Sequence, residues 1–134
     1  MSVVKSERST SEMEFLHTAR ELEIYTIRRC VNIPKRYTFY LGQKIAEIST
    51  HIYNCVVCAN SIFPQNQHEA QIRRDYLIHA VSELHALVAQ IEIASEIIGL
   101  DADKMHAWMD RVNREIRLVK GLMKKDKERY RDLK

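Results

Sequence analysis

At 134 residues, the chain has the length of one domain with a single hydrophobic core. Hydrophobic residues make up 46% and charged residues 29%, as in soluble globular proteins, and no apolar stretch approaches the ~18 residues of a membrane span. Three cysteines without a framework spacing argue against a disulfide scaffold, so the composition predicts a cytoplasmic protein that contacts no membrane.

Three breaks divide the chain into four long runs, and this partition predicts the fold. The breaks are Pro34, Pro64 and the step from Gly99 to Asp101. Proline removes a helix donor and glycine is preferred just past a helix end, so we expect helices to end here. The sequence therefore predicts an all-α protein, an up-down antiparallel four-helix bundle over residues 11–134 that follows a flexible N-terminus, 1–10. The predicted helices are 11–31, 36–62, 67–98 and 102–130.

A cap and a regular apolar spacing predict the first two helices. Ser11 and Glu14 have the spacing of a capping box, in which hydroxyl and carboxylate accept hydrogen bonds from amides at the helix start. The inner stripe of helix one is Phe15, Ala19, Leu22 and either Thr26 or Ile27. Helix two carries apolar residues at steps of three and four, a period that no strand shares: Tyr37, Leu41, Ile45, Ile48, Ile52, Cys55, Ala59 and Ile62.

The last two helices show the same period. The stripe of helix three is Leu77, Ala80, Leu84, Leu87, Ile91, Ala94 and Ile98, and that of helix four is Met105, Trp108 or Met109, Val112, Ile116, Val119 and Met123. Further apolar residues lie beyond these stripes: Tyr53 and Val56 on helix two, Val81 and Val88 on helix three. Long helices bury such an excess against another subunit, so we expect a homo-oligomer.

Positive charge is concentrated towards the end of the chain. Residues 111–134 hold ten basic and four acidic residues, a net charge of +6, which leaves −3 for the rest. Steps of three and four place five cations, called the basic stripe below, on one face of helix four: Arg117, Lys120, Lys124, Lys127 and Arg131. Other basic residues cluster at the first link and at the start of helix three: Arg28, Arg29, Lys35, Arg36, Arg73 and Arg74.

Such a basic surface predicts binding of RNA or DNA. Contacts between cations and phosphates dominate non-specific affinity and carry no base information, so we expect binding that is independent of sequence. The alternative is that these cations form an ordinary solvent-exposed helix face that binds no nucleic acid. The sequence leaves open whether the basic zones lie at one end of the bundle or at different ends.

Two short motifs are weaker candidates for chemistry. Cys55 and Cys58 have the spacing of a metal or redox pair, but a structural zinc site needs four ligands and redox pairs sit at helix N-termini. We interpret them as small buried hydrophobic residues, with Cys55 on the core stripe. Glu14 and His17 match the Glu-x-x-His spacing of di-iron bundles, yet the chain has no second such pair. We therefore predict no metal and no cofactor.

Arg74 and His79 resemble the Arg-polar-x-x-x-His signature of the HEPN ribonucleases, which are also helical bundles. Such residues could handle the charge and protons of RNA cleavage by the 2′-hydroxyl. The other interpretation is a basic start to helix three, with Tyr76 or Leu77 and Ala80 facing the core. Because the pattern has only two fixed residues and one loose one, we favour a protein that is not an enzyme and keep the ribonuclease as an alternative.

Several segments in a fixed order resemble a known bacterial family. They are Asn32–Tyr37 at the start of helix two, Asn60–Phe63 at its end, Arg73 and Arg74 with Ala80 in helix three, and Lys120–Arg129 near the end of the chain. The family is a four-helix-bundle family. It holds the accessory variability determinants of diversity-generating retroelements and proteins encoded by intervening sequences in large-subunit ribosomal RNA genes. The ribosomal branch usually shows Asn-Ile-Ala-Glu-Gly in helix two, whereas this chain has Asn54–Cys58 there, which disfavours that branch.

The resemblance implies a function as well as a fold. It implies a basic homopentameric barrel that binds nucleic acid and a partner reverse transcriptase, and that supports error-prone copying of a template RNA into cDNA without catalysing a reaction itself. A ribosomal intervening-sequence bundle with a structural or RNA-binding role and the ribonuclease using Arg74 and His79 are the alternatives.

Overall fold

The computed structural model describes residues 13–134. They form four α-helices, and no strand occurs among them. The helices are α1 (Glu14–Cys30), α2 (Gln43–Asn60), α3 (Gln67–Ile98) and α4 (Ala102–Arg129). The predicted all-α class and the four helices are confirmed over this range. The predicted capping serine, Ser11, and the N-terminal segment 1–10 lie outside the described residues.

The link between α1 and α2 is less regular than the spacing predicts. A 3₁₀ turn at Lys35–Tyr37 and a π-helical turn at Thr38–Gly42 precede the α-helical geometry that begins at Gln43. Pro34 has extended backbone, with φ −52° and ψ 139°, and so separates this segment from α1. The π-helical turn still contributes Leu41, which is 5% exposed, to the core.

Side chains and one glycine define the ends of α3 and α4. The side-chain oxygen of Asn66, Oδ1, accepts a hydrogen bond from the Glu69 backbone amide at 2.9 Å, and the Glu69 carboxylate accepts one from the Gln65 backbone amide at 2.8 Å. This reciprocal pair satisfies amides that the helix itself leaves unpaired. Gly99 ends α3 in the left-handed region, at φ 66° and ψ 43°. Asp101 caps α4 by accepting a hydrogen bond from the Asp103 amide at 3.2 Å.

The core follows buried positions at steps of three and four along every helix. It divides into two clusters, one containing Leu84, Leu87 and Trp108, the other Phe15, Leu77 and Val119. On α3 the buried positions are Arg73, Leu77, Ala80, Leu84, Leu87, Ile91 and Ala94. On α4 they are Trp108, Val112, Glu115, Ile116, Val119, Leu122 and Asp126. This period places one side of each helix against its neighbours.

Several predicted core positions shift by one residue. On α2, Ser49 and Val56 are buried, whereas Ile48 and Cys55 are only half-buried at the edge of the core. Ser49 fits because its hydroxyl donates a hydrogen bond to the Ala46 carbonyl at 2.7 Å and so is satisfied within the helix. On α1, Thr26 is fully buried and Ile27 is 40% exposed. On α4, Leu122 lies in the core in place of the predicted Met123, which lies at the edge of the core.

The placement of Val56 also changes the surface expected to contact another subunit. Val56 is fully buried, and Tyr53, Val81 and Val88 pack against the core clusters. The large apolar side chains that are exposed on α3 are others: Ile72 at 36%, Ile78 at 41%, Ile93 at 45% and Ile97 at 51%. Just before α3, Phe63 is 75% exposed.

Helix α3 is also the one described helix that is long and apolar enough to cross a membrane by length and composition, whereas the sequence predicts none. About 33% of its most apolar window is buried inside the protein. Six buried residues of the same helix belong to the two core clusters, and core helices of soluble proteins meet the same criterion.

Side-chain bonds show which parts of the helices lie together. Near the end of α1, Thr26 accepts a hydrogen bond from the Trp108 indole at 3.1 Å, close to the start of α4. At the start of α1, Glu14 pairs with Arg114 at 2.8 Å. The start of α3 lies beside the end of α4, because the Gln67 side chain binds the Tyr130 carbonyl at 2.6 Å. These contacts fix where each group of cations lies.

Candidate nucleic-acid interface

All five residues of the basic stripe are exposed. Four of them form no ion pair with any residue in the range 13–134: Arg117, Lys120, Lys124 and Lys127. The fifth, Arg131, lies 3.7 Å from Asp132, whose side chain is 91% exposed. Exposed pairs of this kind contribute little because water screens them. The stripe is therefore available to a polyanion along its whole length.

A cleft of about 520 Å³ lies between the start of α3 and the end of α4. Two residues of the basic stripe, Lys127 and Arg131, line it together with Arg74 from α3. Half-buried apolar residues, including Ala70, Met123, Tyr130 and Leu133, line it as well. The structure thus brings three of the predicted cations together around one concave surface.

Arg73 is a correction to the predicted interface. Its side chain is buried, and its guanidinium donates hydrogen bonds to Asp126 at 2.7 and 3.3 Å. It also donates to the Ala59 carbonyl at 3.0 Å and to the Ile62 carbonyl at 3.2 Å, at the end of α2. A guanidinium engaged on all sides cannot reach a phosphate, so Arg73 joins α2, α3 and α4 rather than binding nucleic acid.

The chain that follows α4 forms one wall of the cleft. The Gln67 amide nitrogen lies 2.6 Å from the Tyr130 carbonyl, 3.3 Å from that of Arg131 and 2.9 Å from that of Leu133. The Tyr130 ring centroid lies 5.9 Å from the Arg73 guanidinium carbon, within cation–π distance. One side chain from α3 and one buried cation therefore hold this wall in place.

The opposite side of α4 carries a second groove, facing α1. Arg117, Lys125 and Arg129 line it with Glu14 and Phe15. The Glu14 carboxylate pairs with Arg114 nearby, so this groove holds a negative charge as well as positive ones. The cleft between α3 and α4 differs because its one carboxylate, on Asp126, is paired with Arg73.

The cations of the first link form a separate zone. Arg28, Lys35 and Arg36 are exposed. Arg29 is half-buried, and its guanidinium donates to the Tyr25 hydroxyl at 3.2 Å. The guanidinium of Arg111 from α4 lies 4.3 Å from the centre of the same tyrosine ring.

The two basic zones lie at different ends of α4, which answers the question that the sequence leaves open. The first-link zone follows Thr26, which contacts Trp108, whereas the basic stripe centres on Lys124. These two positions on α4 are about 24 Å apart at 1.5 Å per residue.

Glu115 is a buried acid that has no hydrogen-bond partner. It is 0% exposed, and both carboxylate oxygens lack a donor within the range 13–134. Burial raises the pKa of its carboxyl to about 9, with smaller effects from Arg114, which lowers the pKa, and Glu14, which raises it. The side chain is therefore protonated and neutral near pH 7. It therefore adds no negative charge to the core-facing side of α4.

The two cysteines and His79 lie away from the cleft. Cys55 and Cys58 are half-buried free thiols, and burial raises the pKa of Cys55, with further increases from Cys58 and Glu83. In residues 13–134, no three or more His, Cys, Asp or Glu side chains are grouped to hold a metal ion. Arg74 lines the cleft, and the exposed His79 lies five positions further along α3. Five positions on an α-helix correspond to about 140° of rotation, so the two side chains leave different faces of α3.

Sequence reasoning missed the neutral residues of the interface. Gln67 and Tyr130 shape the cleft but belong to no apolar stripe and carry no charge. For the buried ion pair a signal does exist, because Arg73 continues the spacing of Leu77 and Ala80, and Asp126 that of Leu122. Two opposite charges at core positions of neighbouring helices indicate a buried pair.

No family model matches the chain, and no curated protein or solved structure was found to be similar to it. What the described residues define is a class: an all-helical protein with four helices, an exposed basic stripe and a cation-lined cleft. The family resemblance noted in the sequence stays a prediction.

Proposed function

We propose that this protein is a non-enzymatic nucleic-acid-binding protein that holds RNA or DNA through its phosphates. The observation that carries the proposal is the basic stripe, five exposed cations of which four have no ion-pair partner in residues 13–134. Four of these cations lie on one face of α4 and Arg131 lies just after the helix, so the row can contact successive phosphates and release the counterions of the nucleic acid. The first-link zone, Arg28, Arg29, Lys35 and Arg36, extends the same surface potential to the other end of α4.

The proposal includes an assembly of several chains. We infer an up-down antiparallel bundle, supported by the bonds that join the end of α1 to the start of α4 and the start of α3 to the end of α4. The exposed isoleucines of α3 support burial of this helix against a second copy. A ring of five copies is the number that the family resemblance implies.

The partner in this proposal is a reverse transcriptase. The resemblance to the accessory variability determinants supports it, and in that setting the protein would present template RNA or cDNA to the polymerase during mutagenic copying. Co-purification with a reverse transcriptase encoded beside the gene tests this part. We expect a stable complex, and a reverse transcriptase that elutes alone would contradict the proposed partner.

The basic stripe is tested by the salt dependence of binding. With about six to ten phosphate contacts, affinity for any RNA or DNA should fall by about 10³–10⁵ between about 50 and 200 mM salt. Changing Arg117, Lys120 and Lys124 together to Gln should weaken binding to all sequences alike and flatten the salt slope, because phosphate contacts carry no base information. Fluorescence anisotropy with labelled oligonucleotides measures both quantities.

A charge-matched control separates the stripe from net charge. Arg20, Lys44 and Lys104 are exposed and lie outside both the basic stripe and the first-link zone. Changing these three to Gln removes the same charge and should leave most of the affinity. Equal losses in the two triple variants would show that only overall charge matters and would overturn the proposed interface.

The proposal also entails that the protein leaves RNA intact. Arg74 and His79 leave different faces of α3, so one chain does not place them on a common phosphodiester. Purified protein incubated with single-stranded RNA in a chelator should give no fragments. Cleavage that disappears in His79→Ala would establish the ribonuclease alternative instead.

A further inference from the structure

We propose that the cleft between α3 and α4 holds one unpaired nucleotide of the bound strand, with the phosphate on its cations and the base on its apolar lining. This inference rests on the proposed function and makes it more specific. It assigns the protein a preference for single-stranded nucleic acid that a flat basic stripe cannot supply.

The cations of the cleft come from three separate segments and surround one space. Arg74 projects from α3, Lys127 from α4 and Arg131 from the segment after α4. The single carboxylate in the lining, that of Asp126, is neutralised by two hydrogen bonds from Arg73. A phosphate in this space meets three positive charges, one of which, on Arg131, lies 3.7 Å from the exposed carboxylate of Asp132.

The remaining lining fits a base. Ala70, Met123, Tyr130 and Leu133 are half-buried apolar or aromatic residues, and the volume of about 520 Å³ lies in the range of small-ligand sites. Aromatic side chains next to a positively charged track are the arrangement by which proteins bind single strands, because every base offers a π-face. A base-paired nucleotide cannot enter such a cleft, since its base remains in the stack of the duplex.

The cleft is also prepared in advance of binding. Gln67 fixes the carbonyls of Tyr130, Arg131 and Leu133, and the Arg73–Asp126 pair joins the two helices beneath the cleft. A wall that is already ordered loses less conformational freedom when a ligand binds.

Three ligands of equal length distinguish this inference from plain phosphate binding: an oligothymidine single strand, the same strand with abasic sites throughout, and a blunt DNA duplex. At one salt concentration, we expect the oligothymidine to bind about 5- to 150-fold more tightly than the abasic strand, which is the range for stacking one base on an aromatic residue. Tyr130→Leu keeps an apolar lining without the ring and should remove this difference.

Two pairs of substitutions provide a matched control within the basic surface. Arg74→Gln with Lys127→Gln removes two cations of the cleft, and Lys120→Gln with Lys124→Gln removes two outside it. We expect the cleft pair to reduce the preference for oligothymidine over the abasic strand, and the control pair to weaken all three ligands alike. Circular dichroism checks that each variant is folded.

The outcomes separate this inference from the proposed function. If wild-type protein binds oligothymidine and the abasic strand equally, nucleic-acid binding stands and the nucleotide cleft is wrong. Equal effects of the cleft pair and the control pair lead to the same conclusion. If wild-type protein binds none of the three ligands at low salt, the proposed function fails and the cleft inference falls with it.

Discussion

Arg73 and Asp126 illustrate how two charged residues can belong to the core. Their side chains are only 6% and 10% exposed and meet at 2.7 Å. Removing one partner of a buried pair leaves the other charge without compensation, which costs about 3–5 kcal/mol. We therefore expect Asp126→Asn and Arg73→Met each to lower the free energy of unfolding by that amount in urea denaturation.

A second ion pair in the same protein serves as the control for this prediction. Arg114 and Glu14 meet at a similar distance, 2.8 Å, but their side chains are 57% and 47% exposed. Glu14→Gln should cost less than about 1 kcal/mol, because exposed pairs are screened by water. If Asp126→Asn lowers the free energy of unfolding as little as Glu14→Gln does, the buried pair does not hold the helices together in the way we describe.

Glu115 makes stability depend on pH in the direction opposite to that of most carboxylates. Its pKa is about 9 in the folded protein because the carboxyl is buried, against an ordinary value of 4.5. Between these pH values the folded state keeps a proton that the unfolded state has lost, so stability falls as pH rises, by up to about 1.4 kcal/mol per pH unit. Glu115→Gln should abolish this fall.

Urea denaturation at pH 5 and pH 8 measures the effect of Glu115. The stability difference between Glu115→Gln and wild type should grow by up to about 4 kcal/mol over these three pH units. Glu128→Gln changes an exposed acid on the same helix and should leave the pH dependence as it is in wild type. A Glu115→Gln curve parallel to the wild-type curve would show that the carboxyl is ionised in the folded protein.

At this scale the sequence predicts the apolar core well and the polar core poorly. The spacing identifies Leu77, Leu84 and Ile91 because apolar residues repeat on one face of a helix. The same rule assigns polar residues to the surface, so it passes over Ser49, Glu115 and Asp126 at positions that continue the period. Ser49 is satisfied within its own helix, whereas the partner of Asp126 and the lack of one for Glu115 depend on how the helices pack.

At the level of helices, replacing two glycines by alanine should change stability in opposite directions. Gly99 lies just before α4, and Gly121 lies within it. Gly99 has φ +66°, where a Cβ is strained, so Gly99→Ala should destabilise by about 1 kcal/mol. Gly121 lies in the interior of α4, where a Cβ would point into open space. Gly121→Ala should therefore stabilise by about 0.5–1 kcal/mol, since alanine favours helix.

Thermal denaturation of the two alanine variants checks this prediction in one experiment. The midpoint should fall for Gly99→Ala and rise for Gly121→Ala. A rise for Gly99→Ala would mean that the α3–α4 link is not held in the left-handed conformation.

The sequence predicts the four helices because helix-breaking residues are few. It does not predict the backbone geometry of the link before α2. Pro34 correctly separates α1 from that link. The apolar spacing of Tyr37, Leu41 and Ile45 continues through the link, so a periodicity argument extends the helix across it. The spacing of side chains does not distinguish a π-helical turn from the first turn of an α-helix, because both bring Leu41 to the core.

For the whole molecule, the exposed isoleucines of α3 predict an oligomer. Light scattering at micromolar concentration should give a mass several times 15.8 kDa. Lysines at Ile93 and Ile97, which are 45% and 51% exposed, should lower that mass to one chain because they place charge in the buried contact. Lysines at Ile27 and Val31, which are 40% and 75% exposed on and just after α1, provide the control and should leave the mass unchanged.

A wild-type protein that scatters as a single chain would contradict the assembly. A mass that falls equally in both lysine variants would show that the contact is not specific to α3.

The candidate interface was predictable in part. Charge counting and helical spacing identify Lys120, Lys124 and Lys127, because exposed cations on one helix need no tertiary information. They do not show that Arg74, which belongs to another helix, reaches the same cleft as Lys127. Nor do they show that Arg73, the residue before it, is withdrawn from solvent.

The separation of the two basic zones along α4 sets a minimum length for a ligand that uses both. A duplex carries one phosphate per strand every 3.4 Å, so the roughly 14 Å along α4 from Trp108 to Arg117, the nearest residue of the basic stripe, corresponds to about four base pairs. Shorter duplexes can occupy one zone at a time, whereas longer ones engage both as a bivalent ligand with a high effective concentration at the second zone. Affinity should therefore rise in a step, rather than gradually, as duplex length passes that value.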